Sequence, residues 1–318
     1  MSARPTPADV RKVFRRHADQ FVGASQSTVR ATLAIYERGA REILARLATL
    51  PEGSLDAVRY QAILGQLREG IRQLWSQVGG ALTEQEAAAI ELAQRHLAER
   101  LSTLAARFGD DPRGVAEVRT RGAAVFRQLF PADAEKLEIV RDGVQQAGTA
   151  RMDARVRTEL AVSLATGEPF FGPQSTFSRL RGVLDGTAIQ VEFTARTEHS
   201  RAYNAAHHAE LVGLNEREGW DYRKSVIITQ DSRTDDDSIG LWNWLWERGG
   251  SIPLDEPFID GNGRKYIHPP GRPNDREVEV PWRESWGSTD EIGNLLGTSA
   301  TSAPMPLDKP RARLAAPK

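Results

Sequence analysis

The chain has 318 residues, of which 40% are hydrophobic and 27% charged, a composition typical of folded globular proteins and unlike that of disordered chains. Its formal net charge of −1 gives no overall attraction to nucleic acid or anionic membranes, although both termini are basic. The absence of cysteine excludes disulfides, thiolate catalysis and cysteine-bound zinc. No apolar run approaches the roughly 20 residues of a membrane span, and the first residues lack a signal-peptide core, so we expect neither membrane insertion nor secretion.

The first 166 residues predict a series of helices with clear start and stop signals. Thr6-Pro7 begins the first helix, because threonine is a good cap and proline suits the first turn. Gly79-Gly80 should end the second helix, and the capping box Thr83–Glu86 should start the third. Apolar rows at three- and four-residue spacing run along the predicted helices, which cover about 7–49, 54–79, 83–109, 111–130 and 133–166. Short connections between them favour an elongated helical bundle.

The composition changes at Gly167, where a turn-rich joint predicts a domain boundary. Beyond it we expect two further helices, three short β segments and a C-terminal tail rich in Gly, Ser, Thr, Pro and Ala; the helices cover about 175–184 and 187–217, and the β segments 225–229, 251–254 and 278–280. The predicted fold is therefore α+β and mostly α. Its parts are a helical bundle over 1–166, a small α+β domain over 167–283 and a flexible tail over 284–318.

Four segments in the second half carry a family resemblance. They are Arg196–Glu198 with Arg201–Ala205 on a predicted helix, Asp231–Thr234 after the first β segment, Pro253–Phe258, and His268–Asn274. In this order they resemble the head-morphogenesis, or minor head protein, domain of tailed phages of the Mu type. The resemblance covers roughly residues 175–282, about a third of the chain.

The polar residues of these segments predict a structural network. Helical spacing lets the polar side chains of the first segment point the same way, and an arginine fork binds a carboxylate through two parallel hydrogen bonds. We expect a buried or half-buried salt-bridge network that joins helix to sheet; its members are Arg196, Glu198, Arg201, Asn204, Asp231 and Arg233.

Metal binding and catalysis receive less support. Many family members end with Asn-Cys-Arg-Cys, which suggests a metal clip, but this chain has Asn274-Asp275-Arg276-Glu277 there, so thiolate zinc binding is lost. Oxygen ligands for a hard cation remain an alternative, with Asp231, Asp235, Asp237, His268, Asp275 and Glu277 as the candidates. The chain has neither a His-Glu-x-x-His zinc motif nor a nucleophile elbow. We therefore expect no catalytic residues, no bound metal and no cofactor.

Three tryptophans alternate along a short stretch, at Trp242, Trp244 and Trp246. If this stretch is extended, the three indoles lie on one side. They then form part of the core, an interface with another protein, or a stacking platform for nucleic acid. Packing within the chain is the favoured interpretation.

The resemblance implies a non-enzymatic minor structural protein of a phage or prophage head. Such a protein associates with the portal protein and other head proteins at the portal vertex, acts in head assembly or DNA packaging and ejection, and is made in the host cytoplasm. Solvated surface charge is the favoured interpretation of the basic termini, contact with packaged DNA through them is the alternative, and contact with a membrane is not expected. Two alternatives stay open: the delivery portion of a phage-derived toxin, and a cation-dependent hydrolase using the acidic loops.

Overall fold

The computed structural model describes residues 4–50, 53, 55–111, 115–228, 235–272 and 277–286. The fold is α+β and mostly α, which confirms the predicted class. Its helices within these ranges are α1 Pro7–Ala48, α2 Ala57–Phe108, α3 Val115–Thr120, α4 Gly122–Leu129, α5 Pro131–Thr166, α6 Thr176–Glu218 and α7 Asp236–Glu247. The strands are β1 Arg223–Ile227, β2 Ile252–Pro253, β3 Phe258–Ile259, β4 Lys265–Tyr266 and β5 Val278–Trp282. The predicted tail begins differently, because Glu284–Trp286 form a 3-10 helix in which Trp286 is buried; from 287 onward the tail lies outside the described residues.

Helix α1 begins where its sequence predicts. The backbone N–H of Asp9 donates to the Thr6 hydroxyl at 3.2 Å, and the backbone N–H of Thr6 donates to the Asp9 carboxylate at 2.8 Å. Two N–H groups that the helix leaves unpaired are thereby satisfied. The hydrogen bond from Thr6 also lowers the pKa of the Asp9 carboxyl.

The prediction that Gly79-Gly80 ends a helix is wrong, because α2 runs through both glycines and through Thr83–Glu86 without a break. The side chain of Gln145 from α5 lies so close to Gly79 that a Cβ there would overlap its amide. Gly79 therefore lets another helix approach. The Thr83 hydroxyl does not cap a new helix either, since it donates to the Gly79 carbonyl one turn back at 3.0 Å.

Two other helix boundaries differ from the prediction. A single helix, α6, replaces the two helices expected around Leu184 and Thr187, and the Thr187 hydroxyl donates to the Val183 carbonyl at 2.8 Å within that helix. Conversely, the helix expected over 111–130 divides into α3 and α4 at Gly122, whose φ is +70°. Glycine adopts this left-handed conformation at little cost, so the chain can change direction there.

The described residues form two compact units. Unit 1 draws on Met1–Ser25, Glu86–Glu135 and His199–Lys318, and unit 2 on Gln26–Gln85 and Lys136–Glu198. These units do not follow the boundary expected at 166/167. The reason is that α1, α2, α5 and α6 are continuous helices, each of which contributes residues to both units.

Unit 2 is a helical bundle with its own apolar core. Segments of α1, α2, α5 and α6 pack together, and glycines allow close contacts between them. A Cβ at Gly148 of α5 would lie 2.6 Å from the Trp75 ring of α2, which shows how tightly these two helices meet. The Tyr36 hydroxyl of α1 donates to the Leu184 carbonyl of α6 at 2.7 Å.

Unit 1 contains the sheet. Strand β1 lies between β2 and β5 and pairs antiparallel with both, with Ser225 opposite Val280. Strands β3 and β4 form a separate antiparallel hairpin. One apolar cluster joins the β5 residues Val280 and Trp282 to α2 and α6, and a second joins β1 to α7. No helix within the described ranges is both long enough and apolar enough to cross a bilayer.

Replacing Gly240 with alanine should destabilise unit 1, because its Cβ would overlap the backbone of Gly261. We expect the free energy of unfolding to fall by about 1–3 kcal/mol or more, as in other overpacked sites. Gly65 is the matched control, since it is exposed in α2 and a Cβ there would meet no atom within 4 Å. Gly65→Ala should stabilise the protein by up to about 1 kcal/mol. Urea unfolding measures both changes, and equal effects of the two substitutions would contradict the prediction.

Candidate functional site

The most unusual feature of unit 1 is its interior polar cluster. The sequence contains six histidines, and all of them fall within this unit: His17, His96, His199, His207, His208 and His268. Four of the six side chains are buried, and those of His208 and His268 are half-buried, so burial makes their protonation costly. The cluster involves α1, α2, α6 and the sheet.

Asn204 ties helix α6 to strand β5. Its amide nitrogen donates to the Glu277 carbonyl at 3.1 Å, and its amide oxygen accepts from the Glu279 backbone N–H at 2.8 Å. The same nitrogen donates to the Ser200 carbonyl within the helix at 2.9 Å. Asn204 is fully buried, so it takes the place of a neighbouring strand for the backbone of β5.

Glu279 is a buried carboxylate that stays ionised. Its oxygens lie 3.1 and 3.2 Å from Nδ1 of His208 and 3.6 Å from Nδ1 of His207. Burial alone would raise the pKa of Glu279, but the charges and hydrogen bonds of His208, His207 and Lys224 lower it below its ordinary value. Burial has the opposite effect on the neighbouring imidazole and lowers the pKa of His207 to about 4.

Lys224 links three segments that are distant in sequence. From β1, its ammonium donates to the Leu254 carbonyl at 2.7 Å and to the Ile267 carbonyl at 2.5 Å. It also lies 5.0 Å from the centre of the Phe258 ring, a cation–π contact. Burial lowers the pKa of Lys224 to about 8, while the Glu279 carboxylate opposes that shift. The engaged ammonium serves as a structural tie.

A second tie joins the loop before β5 to helix α7. The Arg272 guanidinium pairs with Asp237 and donates to Asp235 at 2.8 Å. Asp235 caps α7, because its carboxylate accepts from the Ser238 backbone N–H at 3.0 Å. Burial would raise the pKa of Asp235, but its hydrogen bonds with Arg272 and Ser238 lower it overall.

The remaining part of the cluster lies between α1, α2 and α6. The rings of His17 and His96 stack with their centres 4.0 Å apart. Nε2 of His17 lies 2.8 Å from a Glu99 carboxylate oxygen, and Nδ1 of His96 lies 2.8 Å from the Tyr203 hydroxyl. Burial is the main cause that lowers the pKa of both histidines, to about 4 for His17. Arg100 is fully buried beside them and donates to the Glu279 carbonyl at 3.2 Å.

The structure describes four of the six members of the predicted network. Asp231 and Arg233 lie outside the described residues, so their predicted pairing with the helix stays a prediction. Arg196 belongs to unit 2 and pairs with Glu192 on its own helix at 2.7 Å. Glu198 and Arg201 are half-buried on α6. Among the described members, Asn204 therefore makes the observed connection between helix and sheet.

The candidate cation ligands that the structure describes are engaged in other contacts. Asp275 and Asp231 lie outside the described residues, whereas Asp235 pairs with Arg272 and His268 lies 2.9 Å from the Pro269 carbonyl. Within the part of the chain that the structure describes, no group of three or more histidine, aspartate or glutamate side chains is arranged to hold a metal ion.

The three tryptophans do not share one side, because they lie on helix α7 and not on an extended segment. Trp242 is buried in the core with β1, whereas Trp244 and Trp246 are half-buried against it. Residues two apart on a helix point in different directions, which separates Trp244 from the other two. The Arg248 guanidinium covers Trp244, 4.2 Å from its ring centre.

Sequence reasoning missed two fully buried charged residues of the sheet, Lys224 and Glu279. Glu279 lies between Val278 and Val280 in β5, and the antiparallel register places it on the same face of the sheet as Lys224 of β1. Opposite charges at such positions on adjacent strands are a detectable signal. His17 and His96 carry no such signal, because only the packing of α1 on α2 brings them together.

Comparisons with family models, with curated proteins and with solved structures find no match to this chain. The resemblance to the phage head-morphogenesis domain therefore stays a prediction that rests on the four sequence segments.

Proposed function

We propose that this chain is a minor structural protein of a tailed-phage or prophage-derived head. In this proposal it is associated with the portal vertex, where it acts in head assembly or in DNA packaging and ejection. Its partners are the portal protein and other head proteins, and its final location is the virion. It has no enzymatic activity in this role.

The observation that supports the proposal is the set of internal contacts made by the segments that carry the family resemblance, within the described residues. Asn204 of the first segment holds β5, the Leu254 carbonyl and Phe258 of the third surround Lys224, and Arg272 of the fourth holds the start of α7. These segments are separated in sequence, yet each makes an internal tie between elements of unit 1. Such use of motif residues suits a rigid structural module.

Exposed basic residues near the N-terminus support the contact with DNA that we propose for this role. On α1, Lys12 and Arg15 are exposed, whereas Arg16 pairs with Glu99. The basic residues near the C-terminus lie outside the described residues. Phosphate contacts of this kind weaken with rising salt, so any binding to duplex DNA should fall as salt is added.

Quantitative mass spectrometry of density-purified particles and proheads from the producing strain tests the proposal. We expect this chain in both fractions at low copy number relative to the major capsid protein, together with the portal protein. A host protein abundant in the cytoplasm serves as the control for contamination. Absence of the chain from both fractions would discard the structural role.

A further inference from the structure

Unit 1 contains a cavity of about 370 Å³ that lies beside α1, α2 and α3, away from the ties around the sheet. Gly23 and Ala24 of α1 form one side of it, Arg95, His96 and Glu99 of α2 another, and Arg119 of α3 a third. A Cβ at Gly23 would meet no atom within 4 Å, so this residue leaves the cavity open. The volume is within the usual range for small-molecule sites.

The charges around the cavity are not balanced. Glu99 is already neutralised, since it pairs with Arg16 and lies 2.8 Å from Nε2 of His17. Arg95 and Arg119 form no ion pair or hydrogen bond with any residue in the described ranges. Among the described residues, the cavity therefore presents two exposed guanidinium groups that pair with no carboxylate, and these favour an anion.

The base of the cavity is the polar side chain of His96, which hydrogen bonds hold in position. His96 lines the cavity although only 2% of it is exposed. Its Nε2 lies 2.8 Å from the Gln20 amide oxygen, and its Nδ1 lies 2.8 Å from the buried Tyr203 hydroxyl. Ala24 and Leu92 supply apolar surface beside it. A polar base, an apolar wall and two free cations are the components of a site for a small anionic molecule with an organic body.

We propose that this cavity binds a small phosphomonoester, whose phosphate pairs with Arg95 and Arg119 and whose organic part contacts Ala24 and Leu92. Two guanidinium groups match the two negative charges of a monoester near neutral pH, whereas each phosphodiester of nucleic acid carries one. A cavity of about 370 Å³ also suits a compact ligand better than a continuous backbone. This site is independent of the proposed role in phage heads.

The test is isothermal titration of the full chain at pH 8 with phenyl phosphate, a dianion, and with phenyl sulfate, a monoanion of similar shape. We expect phenyl phosphate to bind at one site and phenyl sulfate to bind about tenfold more weakly or not at all. Arg95→Ala and Arg119→Ala should each weaken phenyl phosphate binding by about tenfold or more, the usual effect of losing a hydrogen bond to a charged group.

Two further kinds of variant complete the experiment: one changes the volume of the cavity, and the other changes only the net charge of the protein. Gly23→Leu should abolish binding by filling the cavity, whereas Gly65→Leu adds the same side chain at an exposed site on α2 and should have no effect. Arg38→Ala removes an exposed arginine in unit 2 and should also leave binding unchanged. Circular dichroism confirms that each variant is folded.

Three results would overturn the proposal. The first is the absence of saturable phenyl phosphate binding to the wild-type chain. The second is an equal loss of binding in Arg38→Ala, which would indicate a general charge effect. The third is a short DNA duplex that binds through Arg95 and Arg119 while phenyl phosphate does not, which would assign these arginines to nucleic acid.

Discussion

Glu279→Ala should lower the free energy of unfolding by about 3–5 kcal/mol, the usual consequence of removing one partner from a buried ion pair. The carboxylate is fully buried, and its loss leaves His208 and Lys224 without their anionic neighbour. Globular domains have about 5–15 kcal/mol of stability in total, so the variant should unfold at a much lower urea concentration. The midpoint and slope of urea unfolding provide the measurement.

Glu284 supplies the matched control. It is also a glutamate near β5, but its side chain is 75% exposed and pairs with Arg223 at the surface. Surface substitutions of this kind usually change stability by less than about 0.5 kcal/mol. If Glu279→Ala and Glu284→Ala were equally mild, the carboxylate would not hold the sheet to α6 as we describe.

Acid should destabilise this protein unusually steeply, beginning below about pH 6.5. Burial is the main cause that lowers the pKa of five histidines: His17, His96, His199, His207 and His268. In the unfolded chain the histidine pKa is near 6.5, so below that pH the unfolded chain binds more protons than the folded chain does. Stability is therefore fully present above pH 6.5 and is lost as the pH falls toward the folded values, which are about 4 for His17, His199 and His207.

Each such histidine contributes a slope of up to about 1.4 kcal/mol per pH unit, and several act together. Glu279 adds to the loss at lower pH, because its pKa is lowered on folding, whereas Glu210, whose pKa burial raises, opposes it. Urea unfolding at pH 7.5, 6.5 and 5.5 measures the slope. His199→Gln should reduce the slope of the free energy of unfolding against pH by the contribution of about one proton. A free energy of unfolding that does not change over this pH range would contradict the prediction.

Glycine shows how far local sequence predicts this fold. Gly109, Gly167 and Gly219 end α2, α5 and α6 close to the predicted helix ends, each with φ between +65° and +83° and its N–H bonded to a carbonyl four residues back. Gly79 carries the same local signal but lies within α2, close to Gln145. The sequence around a glycine shows that a side chain is absent. It does not show whether backbone conformation or a neighbouring helix requires that absence.

The candidate site, too, was predicted from the sequence only in part. Asn204 is predicted to join α6 to the sheet, and the structure shows that it does so through the backbone of Glu277 and Glu279. That partner could not be predicted, because backbone groups have no sequence pattern of their own. The cavity beside Arg95 and Arg119 was not predicted either, since it depends on how three helices pack and on where two charges lack partners.

The arrangement of the two compact units limits how this protein can be divided. The chain passes from one unit to the other four times, after Ser25, Gln85, Glu135 and Glu198. No continuous fragment contains one whole unit without part of the other, because the shortest stretch that includes all of unit 2 also includes Glu86–Glu135 of unit 1. Deletion mapping would remove a shared helix together with the surface under study. A binding partner should therefore be assigned to one unit by single substitutions in the intact chain.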